Sequence, residues 1–463
     1  MKKSAIVLFI SIFFFSKAFD QQRYESNWTS IDSRPIPTWF TDAKFGIFIH
    51  WGVYAVPAFA PVGKDIPTYS KYSEWYWYRM VNDTGKVGQA FRAYHEKTYG
   101  KNFKYTDFVN GFKADLFNPD QWADLFAASG AKYIVLTSKH HEGFTLWPSL
   151  QSWNWNAVDV GPHRDLLGDL TTSVKNKGLR MGYYYSLYEW FNPLYKKDIN
   201  KYVDDHMIPQ MKDLVNTYKP DVFWTDGEWD HQSDVWKSTQ FLSWLYNESP
   251  VKNSVVVNDR WGKETRSKHG GFYTTEYDLV HETNSKDIKI AHPWEECRGI
   301  GGSFGYNRNE NLADYNSSEE LVHMLIEKVA RGGNLLLDIG PAADGTIPVI
   351  MQQRLTDMGS WLKINGDAIY GTQSWDKAPA ITKEATVFFT QKGKDIYVLC
   401  TKFPEKPIVI ENLKKSGVIS LLGSNVQIKS SFSAGKLSLT PPVLTPAVTS
   451  GNYAWVFKLE NAL

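Results

Sequence analysis

Two cysteines in 463 residues, Cys297 and Cys400, are too few for a disulfide framework or a structural zinc site. They stand far apart, and two free thiols are expected. A dominant charge sign is also missing. Lys and Arg total 51 against 50 Asp and Glu, a net charge of +1. That gives no general attraction to nucleic acid or to an anionic membrane. After residue 18 no run is long and apolar enough to cross a bilayer. A nucleotide-binding glycine loop is lacking too: Gly299-Ile300-Gly301-Gly302-Ser303-Phe304-Gly305 has the wrong spacing and follows no clear strand. There is no internal repeat and no low-complexity segment.

Aromatic side chains are what the sequence has in excess, at 15% with 19 tryptophans. Rings fill cores, but they also stack on the apolar faces of sugars, so this excess favours a carbohydrate ligand. Residues 1–18 read as a secretory signal peptide: Lys2 and Lys3, the apolar run Ala5–Phe15, then small residues in Ser16-Lys17-Ala18. Four sequons fit a secreted route, at Asn27, Asn82, Asn247 and Asn316, with Pro250 weakening the third.

Residue 19 onward alternates strand and helix patterns. Strands are expected at Phe45–Ile49, Ala131–Ser138, Gly178–Ser186, within Pro220–Asp226, at Ser254–Asn258, Phe272–Glu276 and Asn334–Ile339. Helices are expected at Asp115–Ala128, Asp165–Lys177, about 200–218 and Glu320–Ala330. Such alternation predicts an α/β fold with a parallel sheet, near the count of a closed (β/α)8-like barrel. An open doubly wound sheet is the runner-up. From about residue 373 the helical period disappears and short β-rich runs take over, predicting a β-sandwich. The expected division is a leader at 1–18, a barrel at 19–371 and a sandwich at 372–463.

Nearly every predicted strand ends in a polar residue: His50, His140, His141, Tyr184, Asp226, Arg260, Glu276. In parallel barrels, strand exits carry the chemistry. Asp226 follows Val222-Phe223-Trp224-Thr225 and precedes Gly227, so it is either a turn cap or a rigidly held carboxylate. Adjacent His140 and His141 resemble metal ligands, yet neighbours on a strand point to opposite faces and no further ligands stand at a recognisable spacing. Neither metal nor cofactor is expected, and imidazoles donating to sugar hydroxyls fit better. Two carboxylates with neutral donors fit glycoside hydrolysis, which needs one ionised carboxylate and one protonated carboxyl.

KFGIFIHWG, TSKHHEGFTLWPS, SWNWNAVDVGP, YYYSLYEWFNPLY, FWTDGEWD and VVVNDRWG, in this order, resemble the motif series of the α-L-fucosidases of glycoside hydrolase family 29, in particular the animal lysosomal type. The resemblance runs from about residue 35 to Gly371. It implies a TIM-like barrel with a C-terminal β-sandwich and retaining hydrolysis of terminal α-L-fucose by double displacement. It also implies fucosylated glycans as partners, a lysosomal or extracellular destination and a tendency to homo-oligomers. By position it makes Asp226 the nucleophile. It gives His50, His140, His141, Glu74, Trp75, Tyr184, Trp224, Arg260 and Phe304 to the sugar pocket. For the acid/base it offers Glu276, with Glu295 as the alternative. Glu276 is preferred because it ends a predicted strand while Glu295 falls in a predicted loop. Two other readings remain: a non-catalytic fucose-binding adhesion protein on this scaffold, and a barrel hydrolase for α-L-galactose or β-D-galactose.

Overall fold

The computed structural model describes residues 22–277, 279–280, 283–284, 292–379, 381–382, 384–446, 448 and 452–463. The leader expected at 1–18 lies outside them. Eight parallel strands form the central sheet: β1 Phe45–Ile49, β2 Tyr133–Lys139, β3 Arg180–Ser186, β4 Val222–Asp226, β5 Val256–Val257, β6 Tyr273–Glu276, β7 Trp294–Gly299 and β8 Asn334–Ile339. Their spatial order is β5-β4-β3-β2-β1-β8-β7-β6, so the first and last strands are neighbours and the sheet curls. The ends meet between β5 and β6. There Gly271 N donates to Asn258 O and Phe272 N to Val257 O, both at 3.0 Å. The fold is therefore the expected barrel, not the open doubly wound sheet.

Strand alternation divides the barrel into two apolar systems. Phe48, Val135, Tyr184, Val222, Trp224, Val256, Cys297 and Leu336 form one buried cluster inside it. Ile47, Ile134, Leu136, Tyr183, Tyr185, Phe223, Leu335 and Leu337 belong to the other, packed with helical residues such as Phe126, Leu170, Leu214, Leu325 and Leu355.

The helices begin where capping chemistry starts them. Asn118 caps Pro119–Ala128, accepting from Gln121 N at 3.1 Å. Asp165 caps Leu166–Asn176 through Gly168 N at 2.9 Å, and Ser317 with Glu320 forms a capping box for Ser318–Ala330. Expected helix 115–128 thus starts late, at Pro119, because Asn118 is extended and caps it. Expected helix 200–218 is a succession of α-helix Ile199–Tyr202, a π turn Val203–Met207 and α-helix Ile208–Tyr218. Between β5 and β6 there is no helix. Thr265 Oγ1 instead receives the Trp261 and Gly262 amides and donates to Asp259 O, folding a tight loop.

Strand β7, Trp-Glu-Glu-Cys-Arg-Gly, corrects the expectation of a loop around Glu295. The run has no apolar alternation because its two glutamates are buried by distant polar partners rather than exposed to water.

The C-terminal part holds a five-stranded antiparallel sheet, ordered Gln373–Ser374, Val387–Lys392, Asp395–Cys400, Trp455–Glu460, Val418–Leu421. A three-stranded sheet, Ile408–Ile410, Lys436–Thr440, Lys429–Ser433, accompanies it. Phe389, Val398, Cys400 and Phe457 pack with Ile410, Leu437 and Leu439 between the two. The opposite face of the larger sheet, including Tyr397, Leu399 and Val456, joins the barrel core. Trp361 Nε1 donates to Ala454 O across that seam at 3.0 Å.

Candidate active site

Because the strands are parallel, their C-terminal ends open on one side. Within β4, Val222 and Trp224 point into the barrel, so Asp226 does as well, and its register partner on β3 is Ser186. On β8, Leu336 and Asp338 share the inward face, and Phe48 of β1 pairs with Asp338. On β6, Thr274 and Glu276 face inward, with Glu276 opposite Cys297. The top inward layer is thereby polar: His50, Ser186, Asp226, Glu276 and Asp338. The chain turns immediately after Asp226 at Gly227, φ 76°, where a Cβ would lie 2.6 Å from Tyr188 Cβ.

One guanidinium ties two of these acids together. Arg260 Nη1 donates to Asp226 Oδ1 at 2.7 Å and Nη2 to Glu276 Oε2 at 3.3 Å. Arg260 is itself buried, its Nε donates to Thr274 Oγ1 at 3.0 Å, and its guanidinium carbon lies 4.4 Å above the Trp224 ring centroid. Tyr184 donates to Asp226 Oδ2 at 2.9 Å, and Arg266 Nη2 stands 3.6 Å from Oδ1. Burial pushes the Asp226 carboxyl upward, but the charge of Arg260, helped by Arg266, reverses this and holds it well below the usual carboxylate range. Asp226 is therefore an ionised, oriented carboxylate. Glu276 accepts from Tyr72 at 2.9 Å on its other oxygen.

Two of the three histidines, His50 and His141, are hydrogen-bonded at Nδ1, while His140 Nδ1 only approaches a carboxylate. His50 Nδ1 lies 2.6 Å from Asp338 Oδ1, His141 Nδ1 lies 2.6 Å from Ser186 Oγ, and His140 Nδ1 lies 3.4 Å from Glu142 Oε2. The expectation that His140 and His141 point to opposite faces is corrected. Strand β2 stops at Lys139, and the two rings sit 4.0 Å apart against the same cavity. Below them Lys139 donates to Glu189 at 2.8 Å, and His206 contacts the same carboxylate at 3.1 Å, anchoring the strand end. Burial, followed by the neighbouring His140, drives His50 and His141 far below the usual imidazole value, so both are neutral.

One cavity of about 330 Å³ gathers His50, Glu74, Trp75, His140, His141, Tyr184, Trp224, Asp226, Arg260, Glu276 and Phe304. Glu74 is buried and accepts from Gly305 N at 2.9 Å, and burial raises its carboxyl above the usual value. Phe304 stacks on His50 at 4.9 Å and contacts Phe48 and Tyr72, forming an apolar corner. Trp75 and Trp229 flank His141 at 5.0 and 5.5 Å.

Glu295 does not reach the cavity. It is the second residue of β7, at the N-terminal end of the barrel, where Tyr133 donates to it at 2.5 Å and Trp224 at 2.9 Å. Burial pushes its carboxyl up to about 7. A titration value suited to an acid catalyst thus belongs to a carboxyl sealed beneath the site.

Phe48, Tyr69, Tyr72, Arg79, Trp229, Arg266 and Cys297 also line the cavity, and residue-by-residue reading passed over them. Tyr69, Tyr72 and Arg79 lie within an aromatic-rich run, YSKYSEWYWYR at 69–79, and Trp229 lies three residues past Asp226, so both carry a sequence signal. Arg266 and Cys297 carry no local signal. The two cysteines are both free and buried. Among the sequons, Asn27 and Asn82 are exposed. Asn247 Nδ2 donates to Tyr24 O at 2.8 Å and Asn316 Nδ2 to Ile300 O at 2.9 Å.

Comparison with known proteins identifies the family of the chain and its fold. A family model described as alpha-L-fucosidase matches residues 11–367. The chain is 43% identical to an alpha-L-fucosidase of Dictyostelium discoideum, over 99% of each chain. It is likewise 43% identical to the tissue alpha-L-fucosidase of Homo sapiens, covering 95% of this chain and 92% of the other. Among solved structures, Thermotoga maritima alpha-fucosidase in complex with fucose superposes with a TM-score of 0.77 at 36% identity, over 94% of this chain and all of that one.

Proposed function

The chain belongs to the alpha-L-fucosidase family and is a glycoside hydrolase that releases fucose, and on that basis we propose that it is a retaining exo-α-L-fucosidase working by double displacement. The observation that carries this reading is the pair Asp226 and Glu276, held on the single guanidinium of Arg260 at the mouth of strands β4 and β6. Glu276 gives a proton to the glycosidic oxygen while Asp226 attacks the anomeric carbon. The bond to the leaving oxygen breaks and an ester to Asp226 forms. Glu276, now a carboxylate, takes a proton from water, and the oxygen of that water displaces Asp226 to release fucose with its configuration retained.

His50, His140, His141, Tyr184 and Glu74 hold the hydroxyls, Trp224 forms the floor, Phe304 meets the methyl group, and Trp75 borders the entrance. A cavity of about 330 Å³ supports removal of one terminal sugar, at the small end of the range for ligand pockets. The substrates are fucosylated glycoproteins, glycolipids or oligosaccharides. In this reading residues 19–371 carry the chemistry, residues 372–463 brace the barrel, and the leader at 1–18 sends the chain to a lysosomal or extracellular destination.

Hydrolysis of 4-nitrophenyl α-L-fucoside, followed by NMR, tests the mechanism. The first-formed sugar is expected to be the α anomer. Asp226→Gly with azide should yield the inverted fucosyl azide. Glu276→Ala should lose about a hundredfold to ten-thousandfold in rate and with azide yield the retained product. A β first product, or undiminished turnover in Asp226→Gly, refutes the reading.

A further inference from the structure

We propose that Ser186 is a positioning residue that fixes His141 as a hydrogen-bond acceptor toward the bound sugar, so that the hydroxyl next to His141 and Asp226 is read only as a donor. The inference rests on the fucosidase reading for its ligand, but its argument is a proton count. Ser186 ends β3 and is fully buried. Its hydroxyl has one proton and two neighbours, Tyr188 O and His141 Nδ1, each at 2.6 Å. A carbonyl oxygen can only accept. Were the proton turned to Nδ1, Oγ would face Tyr188 O at 2.6 Å with no hydrogen between two lone pairs. The proton therefore goes to Tyr188 O, and Nδ1 must carry a hydrogen and donate it to Oγ.

The ring is neutral, since burial disfavours the imidazolium. A neutral imidazole protonated at Nδ1 has a bare Nε2. That atom stands beside the cavity, 3.9 Å from Asp226 Oδ2, too far for a hydrogen bond and acceptor against acceptor. Asp226 Oδ2 already accepts from Tyr184. A sugar hydroxyl entering this space satisfies Nε2 by donating to it. The ring is held from several sides, by Trp75 at 5.0 Å, Trp229 at 5.5 Å and Tyr188 at 5.6 Å, and Trp190 N donates to His141 O at 2.7 Å. His50 and His140 differ in kind. His50 is backed by Asp338, a carboxyl that can hold or release a proton, so that ring can read a hydroxyl in either sense, and His140 Nδ1 has no hydrogen-bond partner to fix its tautomer. Ser186 has already committed its only proton.

The test is a calorimetric affinity series with methyl α-L-fucoside and its monodeoxy and monodeoxyfluoro analogues at the three ring hydroxyls. Fluorine cannot donate a hydrogen bond. At the position read by His141 the fluoro analogue should bind as weakly as the deoxy analogue, about tenfold below the parent. In Ser186→Ala the ring is free to present Nε2–H. The parent should then weaken about tenfold, and the penalty for fluorine at that one position should vanish. Ser186→Cys, with the same shape and a weaker acceptor, serves if the alanine variant does not fold. Fluoro analogues that all bind like the parent, or a fluorine penalty unchanged in both Ser186 variants, overturn the proposal. Either result leaves the fucosidase reading standing if the aryl fucoside is still cleaved, whereas loss of cleavage in the wild type overturns that reading instead.

Discussion

Asp226 and Glu276 are joined through Arg260, whose two terminal nitrogens each hold one carboxylate, at 2.7 and 3.3 Å. In the proposed double displacement the negative charge leaves Asp226 when the ester forms and appears on Glu276 when its proton is given up. The pair carries one negative charge before and after this step, and a cation held between them faces that charge at either position. This function needs a planar fork. Arg260→Lys supplies the charge but reaches one partner at a time. We expect kcat for an aryl fucoside to fall about a hundredfold or more in Arg260→Lys, with little recovery over Arg260→Ala. Near-normal turnover in the lysine variant would show that charge alone suffices.

Glu295 provides a pH test that separates it from Glu276. Its carboxyl titrates at about 7 in the fold, raised by burial from an ordinary value of 4.5. A group raised on folding contributes stability that is fully present below its unfolded value and is lost as pH rises through its folded value. Glu295 therefore favours the folded state at acidic pH and loses that contribution between about pH 4.5 and 7. Glu295→Gln, permanently neutral, should flatten the fall of Tm across this window and raise Tm at pH 8 relative to wild type. It should keep activity, since Glu295 lies beneath the cavity. A collapse of kcat restored by azide would instead make Glu295 the acid/base.

Phe304 closes an apolar corner with Phe48, Tyr72 and the face of His50. A methyl group fits such a corner, and the hydroxymethyl group of an α-L-galactoside enters it at a cost. The ratio of kcat/KM for α-L-fucoside over α-L-galactoside should be about ten to two hundred in wild type. It should shrink in Phe304→Ala. An unchanged ratio would place the methyl pocket elsewhere.

A glycan linked through the asparagine side-chain nitrogen is bulky and must be accommodated on the folded surface. Asn27 and Asn82 are exposed. Asn247 is tied to Tyr24 and Ser243, its sequon Ser249 is buried, and Asn316 is tied to Ile300. Peptide mapping of protein made in a secretory host should find glycan at Asn27 and Asn82 and bare asparagine at Asn247 and Asn316. Glycan at Asn247 would mean that modification precedes the packing of Tyr24.

What the sequence determined by itself is what depends on near neighbours. Strands β1 and β8 are legible at their observed bounds because short apolar runs end in turn residues. One helix start is legible because Asp165 caps the amide three residues on, whereas the caps Asn118 and Ser317 set starts that differ from the expected 115 and 320. Parallel strands then send their polar exits to one side, which is why one cavity could be anticipated from His50, Asp226 and Glu276. Tertiary structure alone decided matters that depend on distant partners. Strand β7 was hidden because Glu295 is buried by Tyr133, 162 residues away, and by Trp224, 71 residues away. Exposed strand Lys429–Ser433 leaves no signal for the opposite reason, having no buried face to impose an apolar alternation. Arg266 and Tyr72 reach the carboxylates from loops with no periodic signal. A carboxyl's proton and a histidine's tautomer follow from burial and from the atoms facing them, and the fold brings those atoms together across long stretches of chain.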